Sequence, residues 1–161
     1  MTKIGIISDT HVGGDDSILE KLANHFEGVD LICHAGDITQ QNVIDELSTI
    51  APVISVKGNA DNLNLNETEI IKVNKFKIVL NHGVNLSDDF DKLMEFGEKY
   101  SADIVITGHT HKPHFNFKDN MCFINPGSFN RPIDSVASIA ILDIDRDEDV
   151  VNNVKVNLIE L

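Results

Sequence analysis

KIGIISDTH, residues 3–11, is the stretch of this chain that says most about its fold. The run from Lys3 to Ser8 is apolar and β-branched and stops at a polar loop, which is typical of a buried parallel strand. Asp9 and His11 follow at once, and both are side chains that bind metal ions. The segment therefore predicts an α/β protein whose site lies at the carboxyl ends of its strands.

Four further segments repeat this arrangement of an apolar run followed by a short loop that carries Asp, Asn or His. Each is weak evidence by itself, because a lone histidine or a Gly-Asn pair more often makes a turn or a hydrogen bond. Parallel strands bring their carboxyl ends to one edge, so we expect the loops to converge. They are Gly36-Asp37, Gly58-Asn59-Ala60-Asp61, His82-Gly83 and Gly108-His109-Thr110-His111.

The residue types in these loops predict a centre with two metal ions. Carboxylate oxygen and imidazole nitrogen together suit Mn, Fe, Zn, Co or Ni better than Ca or Mg alone. One carboxylate can bridge two cations. His109 and His111 are separated by a single residue, and we expect an extended segment whose two imidazoles serve different ions.

The rest of the chain predicts two packed mixed sheets with helices outside, because strands alternate with helices early and hairpins dominate late. The helical periodicity of apolar residues lies in 18–26, 43–47 and 87–100, the last with a cap at Ser87, Asp88 or Asp89. Asn74-Lys75 and Asp119-Asn120 are the predicted hairpin turns. The predicted strands are 29–34, 52–56, 70–73, 76–80, 103–107, 115–117, 121–124, 136–144 and 150–159.

Composition predicts one packed domain over residues 1–161, since 42% of the residues are hydrophobic and a core can form. The short apolar run before Asp9 is not that of a signal peptide, and no run reaches the roughly 18 apolar residues of a membrane span, so we expect a cytoplasmic protein. Cys33 and Cys122 lack a CxxC spacing and are expected to be small buried thiols. The net charge of −13 disfavours a nucleic-acid partner but allows a phosphate substrate.

The ordered set D-x-H, GD, GN, H and G-H-x-H, from Asp9 to His111, resembles the pattern of the calcineurin-like metallophosphoesterase superfamily. The sequence Asn125-Pro126-Gly127-Ser128 is similar to that of the small bacterial and archaeal phosphodiesterase branch, so the match is nearly full length. The resemblance implies a four-layer α/β sandwich of two mixed sheets with outer helices. It also implies hydrolysis of a small phosphodiester by a hydroxide that bridges two divalent metal ions and attacks phosphorus in line.

The resemblance assigns roles by position and implies manganese as the first candidate metal, with Ni, Co, Fe or Zn as alternatives. Asp37, Asn59, His82 and His109 are the expected catalytic residues among the ligands. The implied ligands are Asp9, His11 and His111 for the first ion, Asn59, His82 and His109 for the second, and Asp37 for both.

One position departs from the family pattern. Many members carry His after the Asn of the GN motif, as a general acid or phosphate ligand, and this chain has Ala60 there. General acid catalysis contributes roughly 10²–10⁴-fold when the leaving group is poor. Ala60 therefore predicts a preference for esters with good leaving groups and favours the phosphodiesterase branch. Asp61 keeps the family's acidic position, and we expect it to orient a ligand.

Several alternatives stay open at this stage. The chain could be a phosphomonoesterase, or a catalytically weak protein-interaction scaffold of the same fold, as the related retromer scaffold subunit is. A homodimer is also left open. His34 is expected to be a packed, hydrogen-bonded histidine and His25 a surface residue. Whether His114, Ser128 or Arg131 contacts substrate, and what replaces the acid missing at Ala60, is undecided.

Overall fold

The computed structural model describes residues 1–10, 18–130 and 136–161, which form two five-stranded sheets with helices outside. No helix in these ranges is both long and apolar enough to cross a bilayer. The helices are α1 (Ile18–Leu22), α2 (Gln41–Leu47) and α3 (Phe90–Lys99). The strands are β1 (Thr2–Ile7), β2 (Leu31–His34), β3 (Val53–Ser55), β4 (Thr68–Val73), β5 (Phe76–Asn81), β6 (Ile104–Ile106), β7 (His114–Lys118), β8 (Met121–Asn125), β9 (Ser138–Ile144) and β10 (Lys155–Glu160).

Both sheets are mixed. The first has the order β10-β9-β1-β2-β3, in which β1, β2 and β3 are parallel and β9 runs antiparallel to both of its neighbours, β1 and β10. The second has the order β4-β5-β6-β8-β7, with β5, β6 and β8 parallel and β4 and β7 antiparallel at its edges. In the first sheet the parallel strands β1, β2 and β3 extend from the centre to one edge, and in the second sheet β5, β6 and β8 lie in the middle. The carboxyl ends of the parallel strands therefore lie on one side of each sheet.

Strand β1 shows why its sequence is apolar throughout. Ile4 and Ile6 pack into the cluster between the two sheets, whereas Ile7 packs on the outer face with Phe26. Gly5 lies on that outer face, where an added Cβ would come within 2.9 Å of the Phe26 ring. A strand covered on both faces needs apolar residues at successive positions, as parallel strands usually do.

Three apolar clusters define four layers. The central cluster contains side chains from both sheets, including Ile4, Ile78 and Ile124. A second cluster joins α1 and α2 to the outer face of the first sheet, and a third joins Leu93 of α3 to Val105 of the second sheet. The predicted four-layer α/β sandwich with two mixed sheets is thus confirmed.

The two predicted hairpins are confirmed, and the residues at their turns explain them. Asp119 and Asn120 both have positive φ, 52° and 62°, as the two central residues of a type I′ turn require. Asn74 has φ 52° in the turn between β4 and β5. Among the three predicted caps of α3, Asp89 is the one used, since its side chain accepts hydrogen bonds from the backbone N–H groups of Asp91 and Lys92.

The predicted strand over residues 150–159 is wrong at its start. Val151–Asn153 form a 3-10 helix, and β10 begins only at Lys155. The helical turn places Val151 and Val154 in the central cluster, at a spacing of three residues that a strand would send to opposite faces. Glu148 supports this turn, because its Oε2 accepts hydrogen bonds from Asp149 N, Val150 N and Asn153 Nδ2.

The two thiols are expected to resist alkylation in the folded protein. Burial raises the pKa of both Cys33 and Cys122 to about 12, so the reactive thiolate is suppressed. Because the folded pKa lies above the unfolded value of about 8.5, this contribution to stability is complete below about pH 8.5 and is lost as pH rises toward about 12. Iodoacetamide labelling followed by mass spectrometry, with and without denaturant at about pH 8, measures the protection. Rapid labelling of the native protein would contradict it.

Candidate metal centre

The five loops singled out in the sequence lie at one end of the molecule. Asp9 follows β1, Asp37 follows β2 and Asn59 follows β3 in the first sheet. His82 follows β5 and His109 follows β6 in the second. Since all five strands belong to the parallel parts of their sheets, their carboxyl ends bring these residues to a common edge.

Asp9 is held by the residues on either side of the gap between the sheets. It is fully buried and has φ 54°, an unusual conformation for a residue other than glycine. Its Oδ2 accepts hydrogen bonds from Ser8 Oγ at 2.6 Å and from His109 N at 3.2 Å. Its Oδ1 lies 3.1 Å from His111 Nε2 and 3.8 Å from His82 Nε2. The carboxylate thus faces two imidazoles.

Asp61 fixes the loop that carries Asp37. Asp61 Oδ2 accepts hydrogen bonds from Asp37 N at 3.0 Å and Gly58 N at 2.8 Å, and its Oδ1 accepts one from Thr39 N at 2.7 Å. Asp37 and Thr39 both have positive φ, 57° and 69°. A buried carboxylate that satisfies three backbone N–H groups can hold such a strained turn. Asp61 therefore positions Asp37, as the sequence suggested in outline.

The Asp37 carboxylate and the His82 imidazole meet inside this frame. Asp37 Oδ1 accepts a hydrogen bond from Ala60 N at 2.9 Å, and its Oδ2 lies 3.3 Å from His82 Nε2. His82 Nδ1 lies 2.6 Å from the Ala35 carbonyl oxygen, which can only accept, so Nδ1 carries the proton and donates it. That contact leaves Nε2 directed at the carboxylates, which is how proteins orient a metal-binding histidine.

The electrostatic environment of His82 favours a positive charge. Burial has the largest single effect and lowers its pKa, but the Asp37 hydrogen bond, the charges of Asp9 and Asp37, and the Ala35 carbonyl all raise it. Together they outweigh burial, so the pKa of His82 lies above its ordinary value. Two buried carboxylates beside one imidazole thus form a site that is stabilised by a cation.

Asn59 completes this side of the centre. Its amide nitrogen donates to His82 Nε2 at 3.1 Å and lies 3.3 Å from both carboxylate oxygens of Asp37. The amide can therefore satisfy the site through N–H, or bind a cation through oxygen alongside the other ligands.

The expectation for an extended HxH segment is wrong in its geometry. His109 and His111 have φ 71° and 63°, and Thr110 N donates to the Gly108 carbonyl at 2.9 Å, so the segment is a turn. The turn sends His111 Nε2 to Asp9 and places the His109 ring edge-on to His82, with centroids 5.1 Å apart. The two imidazoles still reach different parts of the centre.

The turn after β8 forms hydrogen bonds with the loops on both sides of the centre. Asn125 Nδ2 donates to the Gly108 carbonyl at 3.0 Å, and Ser128 Oγ donates to the Asp9 carbonyl at 3.1 Å. Gly127 has φ 79° and donates its N–H to Asn125 Oδ1, which closes the turn. Ser128 is fully buried, so it supports the Asp9 loop and is not placed at the surface where a substrate would lie.

His34 is a buried supporting residue, and His25 is exposed, both as the sequence indicated. His34 Nδ1 accepts a hydrogen bond from Gly36 N at 3.1 Å, so its Nε2 carries the proton and lies 3.2 Å from Thr10 Oγ1. Thr10 Oγ1 in turn lies 3.4 Å from the Ile38 carbonyl. The chain of contacts ties the Asp9 loop to the Asp37 loop.

The described residues fit a divalent metal ion. Ligand atoms of Asp9, Asp37 and His82, all buried, lie within 4.8 Å of one another, and this oxygen and nitrogen set is the one that divalent transition metals prefer. Asn59, His109 and His111 lie around the three, as the contacts above describe. His11 and Arg131, which the sequence also singled out, lie outside the described residues.

Two recesses flank the centre. The Asn59 recess has a volume of about 610 Å³, and the His109 recess of about 520 Å³. His114 lines the His109 recess with Lys112, and burial lowers the pKa of His114. The Asn59 recess is lined by Lys57, Gly58, Asn59, Glu67, Val84 and Leu86, among others.

Comparison with known proteins agrees with this architecture. A family model described as the calcineurin-like phosphoesterase superfamily domain matches residues 2–147. A probable metallophosphoesterase of Methanocaldococcus jannaschii is 39% identical over 145 residues, covering 88% of this chain and 76% of that protein. A phosphodiesterase of the same organism is 31% identical over 167 residues, covering 91% and 95%.

Solved structures share the fold of this chain. Wild-type Vps29 of Entamoeba histolytica, determined as a complex with zinc, superposes with a TM-score of 0.80 at 30% identity and 99% coverage of both chains. A structure described as a novel archaeal phosphodiesterase has a TM-score of 0.73 at 25% identity, covering 98% of this chain and 100% of the other. The similarity therefore extends over the whole two-sheet architecture.

Proposed function

This chain belongs to the calcineurin-like phosphoesterase superfamily, and from that membership we propose that it is a phosphodiesterase that works with two divalent metal ions. The observation that best supports the proposal is the convergence of Asp9, Asp37 and His82 within 4.8 Å. The related phosphodiesterase of Methanocaldococcus jannaschii supports the choice of a diester substrate.

The proposed ligands divide into two groups around Asp37. Asp9, His11 and His111 would hold one ion, Asn59, His82 and His109 would hold the other, and Asp37 would belong to both groups of ligands. Bound ions of this kind polarise the phosphoryl oxygens and lower the pKa of water toward neutrality. Manganese is the first candidate metal, with Ni, Co, Fe or Zn as alternatives. The alternatives stand because sites of this type bind several metals, and availability often decides which one is bound.

Other groups of the protein orient the proposed ligands. The Ala35 carbonyl keeps the proton on His82 Nδ1, so Nε2 stays available, and Asp61 fixes the backbone of Asp37. If Asn59 binds metal through its oxygen, its amide N–H₂ is free to donate to a phosphate oxygen. Asp37, Asn59, His82 and His109 are therefore the proposed catalytic residues.

The substrate preference follows from Ala60. Its backbone N–H donates to Asp37, but its methyl side chain cannot protonate a leaving oxygen. We expect esters with good leaving groups to be cleaved faster than alkyl monoesters, because general acid catalysis matters most for poor leaving groups.

An assay on the metal-stripped protein tests the proposal. Bis(p-nitrophenyl) phosphate and p-nitrophenyl phosphate are supplied with Mn, Ni, Co, Zn or Mg in turn, and the chelated protein is the control. Metal-dependent hydrolysis that favours the diester is the expected result. A preference for the monoester would keep a metal-dependent phosphoesterase but overturn the diester assignment.

Replacing Ala60 with histidine is expected to raise the hydrolysis of poor leaving groups. An imidazole at this exposed position can supply the missing acid, with a gain of about 10-fold for an alkyl phosphate, below the full effect of a positioned acid. Rates for an alkyl phosphate and for p-nitrophenyl phosphate measure the gain in Ala60→His. Ala60→Gln, similar in size but unable to act as an acid at neutral pH, is the matched control. An equal gain in both variants would contradict the explanation.

A protein-interaction scaffold is the second candidate, because Vps29 structures superpose so well on this chain. The two functions differ in their prediction for the assay. A folded protein that binds metal ions and hydrolyses neither ester would favour the scaffold.

A further inference from the structure

The Asn59 recess is larger than a phosphate group needs. Its volume of about 610 Å³ falls in the range of pockets that hold drug-sized ligands. It opens beside Asn59 and His82, which the proposed function places among the metal ligands. Whatever ester is bound at the centre, one of its organic groups therefore has room in this recess.

Two opposite charges in this recess are unused by the fold. The side chains of Lys57 and Glu67 are exposed, and neither makes a hydrogen bond or ion pair with a residue of the described ranges. The backbone holds them near one another, since Lys57 N donates to the Asn66 carbonyl at 2.8 Å. Lys57 can attract a phosphate, and Glu67 can accept hydrogen bonds from hydroxyl or N–H groups.

The same recess has an apolar wall on a loop that is held by hydrogen bonds. Val84 is 41% exposed, which is high for a valine, and Leu86 lines the recess beside it. Gly83 anchors this loop, because its carbonyl accepts hydrogen bonds from Leu86 N, Ser87 N and Ser87 Oγ. A preformed apolar surface of this kind suits the face of a flat ring.

From this combination we propose that the Asn59 recess binds the nucleoside half of a nucleotide phosphodiester. The inference rests on the proposed phosphodiesterase function and adds the class of its substrate. A nucleoside carries a flat ring for Val84 and Leu86, and hydroxyl and N–H donors for Glu67. Its phosphate is the anion that Lys57 attracts. An ester of two plain aromatic alcohols offers the ring but has no donor for Glu67.

Kinetics with two esters test this assignment. Thymidine 5′-(p-nitrophenyl phosphate) is compared with bis(p-nitrophenyl) phosphate in the wild type, Glu67→Ala, Val84→Ser and Lys57→Ala. Glu67→Ala is expected to raise KM for the thymidine ester about tenfold, the effect of losing one hydrogen bond to a charged group, with kcat little changed. Lys57→Ala should raise KM for both esters alike. Lys155→Ala, on the far edge strand β10, is the control.

A binding measurement gives a readout that does not depend on turnover. The zinc-loaded protein is titrated with thymidine 5′-monophosphate, and backbone amide shifts are followed by NMR at residues 57, 67 and 84. Inorganic phosphate is the control ligand, and it should leave residues 67 and 84 unchanged. Shifts at those two residues with the nucleotide alone are the expected result.

The outcomes separate the two levels of inference. In one outcome both diesters are cleaved with the same KM, and Glu67→Ala and Val84→Ser affect both esters alike. That result overturns the nucleoside assignment and leaves the phosphodiesterase function standing. If neither ester is cleaved with any metal, the proposed function fails. The nucleotide titration then still decides the recess, because shifts absent at residues 67 and 84 overturn the assignment.

Discussion

The Asp37→Asn variant is expected to fold as the wild type does and to lose metal-dependent hydrolysis by about 10³-fold or more, at or above the effect of deleting one electrostatic catalytic group. The introduced amide can keep the hydrogen bond from Ala60 N through its oxygen. Its N–H₂ group can donate to His82 Nε2, which the wild-type carboxylate faces at 3.3 Å. The metal-free fold therefore keeps its contacts, whereas a negative charge next to both proposed ions is gone.

Thermal unfolding separates these two effects. In the wild type, metal binding is expected to stabilise the protein by about 2.7 kcal/mol when the metal is at one hundred times its Kd. The metal-free variant should unfold near the wild-type temperature, and added Mn should shift it far less. An Asp37→Asn protein that is fully active, or that gains the same metal-induced shift, would remove Asp37 from the centre.

Replacing Asp61 with alanine is expected to cost about 3–5 kcal/mol of folding free energy. The buried carboxylate satisfies the N–H groups of Asp37, Thr39 and Gly58, and each buried donor left without an acceptor costs about 1–3 kcal/mol. The Asp37 loop, with its positive φ, then loses the contacts that hold it. Chemical denaturation of the metal-free protein measures the loss without interference from metal binding.

Asp61→Asn is the matched comparison for this effect. Its oxygen can still accept from Asp37 N and Gly58 N, but its N–H₂ group faces Thr39 N, where two donors meet. The expected cost is about 1–3 kcal/mol, between the wild type and alanine. Equal stability of Asp61→Ala and the wild type would show that the three N–H groups find other acceptors.

The order of strands and helices was largely predictable because each signal is local. The continuous apolar run of β1, the Asp119-Asn120 turn and the Asp89 cap each depend on a few neighbouring residues. The 3-10 helix at Val151–Asn153 was missed for the opposite reason. Its apolar residues look like a strand, and only contact with the central cluster decides their conformation.

The candidate site was predictable in its residue types and less so in its geometry. The order of Asp9, Asp37, Asn59, His82 and His109 after successive strands is visible in the sequence, because parallel strands place their carboxyl ends together. Nothing in the sequence signalled that Ser8 donates to Asp9 or that the Ala35 carbonyl orients His82. These contacts join residues that are adjacent only through the fold or through an unusual backbone angle.

By itself, the sequence determined the family, the two-sheet architecture and the kinds of atom available at the site, since periodicity and residue order carry that information. Only the tertiary structure decided how those atoms are held. Asp9, Asp37, His109 and His111 all adopt positive φ, which local propensity disfavours. Contacts between separate strand ends stabilise such angles. An example is Asp61, whose carboxylate accepts hydrogen bonds from three backbone N–H groups, including that of Asp37. Those contacts exist only once the sheets have formed.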